Sequence, residues 1–419
     1  MRNIAIIGTG QAGLQLGIGL LKNNYSVSFV NDKTAEAIAT GYVMSSQGMF
    51  GSALQHETEL GLNYWDDVCP ANKTVSFIIP NQEYNGMDLY WQGAVNSDFR
   101  SVDQRIKFPK WMKVAASLGG QFIYQNASIH FIDHIANQYD LVILACGKGE
   151  ISKVFKRDEQ KSRYTTPKRY LSLICVTNVK PLNNPGVRAH ILPGIGEYFI
   201  MPGLGVSGPC ELMLFEAVFG GPFDCWRMVN SPEQQLDIAL SLLKRYLPWE
   251  AERCQQATLA DPKGVLKGCY TPIIKHPIAS LPSGNKILGI GDAVVLNDPI
   301  SGQGSNNASK FATIYLDEII KRKNEPFDQR WMQKTFDRCW NTVAVWSTKW
   351  TNMLLEPPEE HVKNLLGAAT QNHTIANYLA NAFDCPNTLF PWIETPELTA
   401  KFIQEKIAAN ITEEHIAYA

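Results

Sequence analysis

Unbroken apolar runs, not alternating ones, dominate the start of the chain. Ile4-Ala5-Ile6-Ile7 reads as a strand buried on both faces, and Gly8-Thr9-Gly10-Gln11-Ala12-Gly13 follows it at once. Leu14, Leu16, Leu20 and Leu21, with Gly17 and Gly19 between them, predict a helix packed tightly on a sheet. A second strand, Ser26-Val27-Ser28-Phe29-Val30, ends at Asn31-Asp32 and completes a βαβ opening. Two later runs, Leu141-Val142-Ile143-Leu144-Ala145 and Lys286-Ile287-Leu288-Gly289-Ile290, also finish in glycine turns, at Gly147-Lys148-Gly149 and Gly291-Asp292-Ala293. Together the three predict one nucleotide-binding parallel sheet assembled from distant segments.

Between roughly residues 170 and 280 the texture changes to shorter β-like pieces broken by Pro and Gly, such as Tyr198-Phe199-Ile200-Met201 before Pro202-Gly203. This predicts an antiparallel second domain. From about residue 309, Phe311, Ile314, Tyr315, Ile319 and Ile320 fall at helix spacing, and Ile375 to Phe383 continues the pattern, so the C-terminal part is expected to be helical.

A chain of 419 residues suggests two or three packed units, and its 45% hydrophobic and 19% charged residues exclude a disordered or fibrous class. Net charge is −2, which leaves no overall electrostatic footprint for a nucleic-acid partner. The nine cysteines are scattered and never form C-x-x-C, which argues against a disulfide framework or zinc site and suits a reducing, cytoplasmic setting. The eight histidines show no metal-ligand spacing either, so no metal is expected. No apolar stretch reaches the ~18 residues of a membrane helix, and no membrane partner is expected. The basic-rich stretch from Lys148 to Arg169 reads as a solvated linker or, more sharply, as a docking face.

Gly8, Gly10 and Gly13 form G-x-G-x-x-G after a strand and at the opening of a helix, the context in which the pattern binds a dinucleotide. The helix N-terminus offers free N–H groups to the phosphates. The acid expected at the end of the second strand is displaced: Asn31 stands there and Asp32 follows. A second G-x-G-x-x-G, Gly203 to Gly208, is followed by Pro209 and reads as a bent strand or hairpin, which leaves one credible dinucleotide site.

The segment Gly289-Ile290-Gly291-Asp292-Ala293, continued by Asn297-Asp298-Pro299-Ile300-Ser301-Gly302-Gln303-Gly304-Ser305-Asn306, resembles the flavin-binding end of FAD-dependent aromatic monooxygenases. With Phe99-Arg100-Ser101-Val102-Asp103-Gln104-Arg105, Tyr139 to Lys148 and Thr348 to Asn352, the resemblance narrows to the oxygenase component of two-component styrene and indole monooxygenases, nearer the indole branch. It implies an α/β fold: a Rossmann-like FAD-binding domain of aromatic hydroxylase type, an interleaved antiparallel β-sheet substrate domain and C-terminal helices. The implied boundaries are 1–170 and 281–345 for the two parts of the FAD domain, 171–280 for the substrate domain and 346–419 for the helical region. An insertion near 45–100 would contribute to the pocket.

The resemblance also implies the chemistry. FAD would arrive reduced from a separate NADH-dependent flavin reductase. Reaction with dioxygen would give a C4a-hydroperoxide that epoxidises indole, leading to indoxyl and indigo, and also styrene-like vinyl aromatics and sulfides. No side chain need act as acid or base. Gly8, Gly10, Gln11, Ala12, Gly13, Asn31, Asp32, Gly147, Asp292, Pro299, Gly302, Gln303, Gly304 and Asn306 would bind the cofactor, with Arg100 approaching its phosphates from a helix start. Ser45, Ser46, Gln47 and Met49 would border the substrate. The rivals are a single-component NAD(P)H-dependent aromatic hydroxylase and a non-catalytic flavin-binding protein.

Overall fold

The computed structural model describes residues 2–147 and 149–417; Lys148 lies outside the described residues. The opening runs form one sheet, in the order Ile278–Ser280, Lys286–Gly289, Leu141–Leu144, Asn3–Ile7, Ser26–Asn31, Gln121–Tyr124. Neighbours are parallel except in the hairpin Ile278–Ser280/Lys286–Gly289. Asn3–Ile7 sits between Ser26–Asn31 and Leu141–Leu144, and the side chains of Ile4, Ala5 and Ile6 are wholly buried. That double burial is why its sequence does not alternate. The helices Gln11–Lys22 and Gln303–Arg322 pack against each other beside this sheet. Gly17 lets the first come close, since a Cβ there would stand 2.2 Å from the Phe29 ring.

A second, larger sheet runs Thr258–Leu259, Arg169–Thr177, Gly208–Val218, Gly196–Gly205, Gly186–Leu192, Asn72–Pro80, Met87–Ser101, Gly48–Met49, and Val265–Gly268 also pairs with Arg169–Thr177. Its pairs are antiparallel except for one seam, where Asn72–Pro80 runs parallel to Gly186–Leu192. The seam joins the hairpin of residues 72–101 to the meander of residues 186–218, so the early segment supplies strands of the sheet itself. The motif Gly203 to Gly208 forms a hairpin tip with Gly205 opposite Gly208, and no helix follows it.

Strand alternation divides this sheet into two faces. Tyr198, Ile200, Met213 and Phe215 pack with Leu236, Ala239 and Leu243 of the helix Pro232–Tyr246. The opposite face carries Phe199, Met201, Leu212 and Leu214, and Trp350, Leu365, Ile375 and Leu379 of the C-terminal helices close over its Val75, Phe77 and Trp91 side.

The stretch read as a solvated linker or docking face is neither free nor uniform. Arg169 starts a strand and is buried against Glu197, while Arg157, Lys161, Arg163 and Lys168 each lie within 4.0 Å of a carboxylate. Part of its positive charge is paired within the fold, while Lys153, Lys156 and Arg163 are exposed.

Candidate flavin and substrate site

The fingerprint loop closes against its own sheet. Gly8 has φ +113°, and its N–H donates to Val30 O at 2.9 Å. A Cβ at Gly13 would stand 2.1 Å from Gly8 O, so only glycine lets the helix start there. Above Gly10 the space is open: nothing lies within 4 Å of a Cβ built there. Gly10 caps the helix without a side chain, so the first N–H groups face that opening and suit a pyrophosphate.

Two further predicted groups converge on the same end of the sheet. A Cβ at Gly147 would meet Asp292 Cβ at 2.3 Å, and one at Gly291 would lie 3.4 Å from Ala12. Asp292 is exposed, and its Oδ1 lies 3.9 Å from the Cβ position of Gly304. The helix Gln303–Arg322 is itself capped by Gly302, φ +67°, with no side-chain cap. Thus two uncapped, electropositive helix ends and an exposed carboxylate bracket one opening. At the end of the second strand, Asn31 spends its amide on Lys33 O at 2.7 Å, while Asp32 is the exposed acid. Burial first, and Asp32 after it, push the nearby Cys146 thiol up to about 12, so that thiol stays neutral.

Pro299, Gln303 and Asn306 shape the loop from within. Asp298 caps the turn Pro299–Ser301, and Gly302 N–H donates to Pro299 O at 2.7 Å. Gln303 Nε2 donates to Ser301 O and Phe383 O. Asn306 accepts from Phe50 N–H at 2.8 Å and donates to Gly48 O at 2.9 Å and Gly302 O at 2.8 Å. It therefore staples the Gly48–Phe50 segment to the Gly302 turn. Thr348 Oγ1 donates to Asn297 Oδ1 at 3.0 Å, Asn307 donates to Ser347 at 3.0 Å, and Ser301 meets Thr351. This hydroxyl ladder gives the Thr348 to Asn352 segment its role in holding the loop.

Gln47 is held in the left-handed region, φ +39°, and is buried. Its Nε2 donates to Gln11 Oε1 at 3.0 Å, its N–H donates to Ser45 Oγ at 3.2 Å, and its own Oε1 is buried without a partner. Ser46 O accepts from Ser101 Oγ at 2.5 Å. Gln11 in turn donates to Glu57, which pairs with the buried Lys107. Met49 is buried, and the Cβ position of Gly48 lies 3.6 Å from Met201 Cε on the large sheet. The loop thus sits between the fingerprint helix and the large sheet. Phe50, stacked at an angle on Phe99 (5.3 Å) and facing Phe383 (6.3 Å), supplies an apolar wall next to Gly302.

Arg100 is not at a helix start. It lies on the strand Met87–Ser101 opposite Met49, before the helix cap Asp103, because Ser101 and Arg100 complete the pairing to Gly48–Met49. Its Nη2 reaches Asp66 O at 3.4 Å and its Nε is buried without a partner, a donor left over for an acceptor in this region. Sequence reasoning missed Lys107–Glu57 and also three buried carboxyls, Glu197, Glu216 and Asp298. For Glu197 and Glu216 the signal was available, since they occupy the same period-two strand positions as Phe199, Met201, Leu212 and Leu214; Asp298 caps a turn and gave no such signal. Among the described residues, no three His, Cys, Asp or Glu side chains converge to hold a metal, and no helix is long and apolar enough to cross a membrane.

Residues 147–253 match a family model described as the styrene monooxygenase A putative substrate binding domain. Over 410 residues the chain is 27% identical to styrene monooxygenase StyA of Pseudomonas fluorescens, covering 94% of this chain and 96% of that protein. Among solved structures, a triple mutant of the flavin-dependent brominase Bmp2 aligns with a TM-score of 0.66 at 15% identity, over 97% of this chain and 99% of that one. The tetrameric form of 2-methyl-3-hydroxypyridine-5-carboxylic acid oxygenase aligns at 0.59 and 15%, over 90% and 93%. At that identity the structural likenesses establish the fold, that of flavin-dependent hydroxylases and halogenases.

Proposed function

From a flavin-dependent monooxygenase that uses FAD and is similar over nearly its whole length to styrene monooxygenase, we propose an epoxidase that takes reduced FAD from a separate NADH-dependent reductase and acts on indole in preference to styrene. Vinyl aromatics and sulfides are its secondary substrates, and the cytoplasm is its setting. The observation that carries the two-component reading is the fate of the second glycine motif. Gly203 to Gly208 is a hairpin tip without a following helix, so the chain offers one fingerprint of dinucleotide type. Bound reduced FAD supplies the activation of dioxygen. The protein's part is to bind its phosphates at Gly10 and its ring beside Gly302, and to keep water out with Phe50, Phe99 and Phe383.

Gln47 supports indole over styrene. Its buried Oε1 lacks a donor, an indole N–H can satisfy it, and a styrene leaves it orphaned, a difference of about 1–3 kcal/mol. Purified protein given chemically reduced FAD, air and an equimolar indole–styrene mixture should consume indole faster and yield blue pigment. Gln47→Val should reverse that order. Absence of any oxygenated product from protein that binds FAD would overturn the assignment, and rapid flavin bleaching by NADH without a reductase would overturn its two-component part.

A further inference from the structure

One face of the large sheet holds more acid than its cation can balance. Glu197 and Glu216 are direct partners on neighbouring antiparallel strands, on the face that carries Phe199, Met201, Leu212 and Leu214. Arg169 takes Glu197 in a two-point grip, Nε to Oε2 at 2.6 Å and Nη2 to Oε1 at 2.9 Å. Glu216 has no such neighbour: it is 0% exposed, and both of its carboxyl oxygens lack a hydrogen-bond partner. Asp298, 3% exposed, comes to the same cluster from the flavin loop and accepts only a long bond from Ile300 N–H, 3.2 Å.

The other titratable groups around Asp298 do not settle its charge. Arg169 is spent on Glu197. Lys168 is held near Glu356, and Tyr164 donates to the same Glu356. Tyr270 donates to Asn297 O at 3.3 Å, and burial first, then Asp298, Asp292 and Glu216, keep its phenol protonated. Burial, then Asp298 and Glu197, raise the Glu216 carboxyl well above its ordinary range, and burial likewise raises Asp298 against the pull of Ile300 N–H and Arg169. Two uncompensated carboxylates in one dry cluster repel and resist desolvation together, so at least one carries a proton.

We propose that Glu216 and Asp298 form a proton-holding pair for the flavin loop: Glu216 stays a neutral acid, and Asp298 takes up a proton when an anionic reduced flavin ring settles at the Gly302–Gly304 helix end. This rests on the flavin reading of that loop. The proton comes from solvent onto a carboxylate oxygen of Asp298, and it returns to solvent when neutral oxidised flavin replaces the anion. No other bond changes. Asp298 sits within the turn that leads to Gly302, so an anion bound at the helix end adds to the repulsion that an ionised Asp298 already feels. Protonation removes that repulsion; binding and proton uptake are then linked.

The test uses the full chain between pH 7.5 and 9, mixed anaerobically with photoreduced FAD in weak buffer with an indicator dye. Wild type is expected to take up a large fraction of one proton per FAD bound, and its Kd for reduced FAD should weaken by up to about tenfold per pH unit, whereas oxidised FAD draws little. Asp298→Asn should abolish the uptake and flatten the Kd profile, whereas Glu216→Gln, which keeps a neutral group beside Asp298, should retain both. The wild-type measurement stands alone where a variant does not fold. Reduced FAD bound without proton uptake, uptake undiminished in folded Asp298→Asn, or uptake lost in folded Glu216→Gln overturns the pair and leaves the flavin reading intact. Failure to bind reduced FAD at any pH overturns the flavin reading, and the pair with it.

Discussion

Two glycines three residues apart separate folding from binding. Gly13 has no room for a methyl group, because its Cβ would overlap Gly8 O at 2.1 Å, whereas Gly10 faces open space. Gly13→Ala should therefore lower the melting temperature and abolish flavin binding together. Gly10→Ala should leave the melting temperature within about 2 °C of wild type, since the substitution creates no clash, and weaken FAD binding at least tenfold. Paired thermal melts and fluorescence titrations check both, and unchanged FAD affinity in Gly10→Ala would remove the pyrophosphate from that opening. The sequence motif made this site legible because glycines at fixed spacing after an apolar strand answer a backbone demand. It did not reveal that Asn306 and Gln303 spend their side chains on Phe50, Gly48, Gly302, Ser301 and Phe383. Phe50, Gly48 and Phe383 lie far along the chain, and an amide looks the same in sequence whether it faces ligand or protein.

The short helix Pro248–Arg253 is clamped to the large sheet by a single buried carboxylate. Glu250 accepts from Arg188 Nε at 2.5 Å and Arg253 Nη1 at 2.6 Å, and lies 3.2 Å from His190 Nε2. Burial alone would raise its carboxyl, but His190, Arg188 and Arg253 outweigh that and hold it well below the ordinary carboxylate range. A depressed carboxyl contributes stability above its unfolded value, 4.5, and loses it as pH falls from there toward the folded value. Glu250→Gln should thus cost about 3–5 kcal/mol at pH 7, because it strands buried cations. The gap from wild type should narrow at pH 4, as urea titrations at the two values would reveal; an equal gap would place the helix's anchorage elsewhere. The β-like pieces around Tyr198 were readable in the sequence, but the helices Pro232–Tyr246 and Pro248–Arg253 within the same stretch were not. Arg100 was not, since Ser101-Val102-Asp103 reads equally as strand end and helix cap, and only the partner strand Gly48–Met49 decides between them.

At the scale of the whole molecule, neither sheet is local. The parallel sheet needs Lys286–Gly289 beside Leu141–Leu144, and the C-terminal helices cover Val75, Phe77 and Trp91 with Trp350, Leu365 and Leu379. A chain ending at residue 345 would expose that face, so it should lose cooperative melting and aggregate, although every fingerprint residue is present; a sharp thermal transition in such a fragment would show that the helices are dispensable. The alternation of folds along the chain was visible in its hydrophobic texture. The membership of residues 72–101 in the large sheet was not, because a pairing partner leaves no mark on a strand's own sequence.

The parallel seam between Asn72–Pro80 and Gly186–Leu192 carries a consequence for biosynthesis. Thr74 must wait for Gly186, and Ile143, already paired with Ile6, gains its outer neighbour only when Leu288 has been made. Closure over such separations is slow, since loop entropy is spent before the contacts repay it. A ribosome therefore holds an open sheet edge, Asn72 to Pro80, through the making of more than a quarter of the protein. This chain's most aggregation-exposed moment precedes any encounter with flavin.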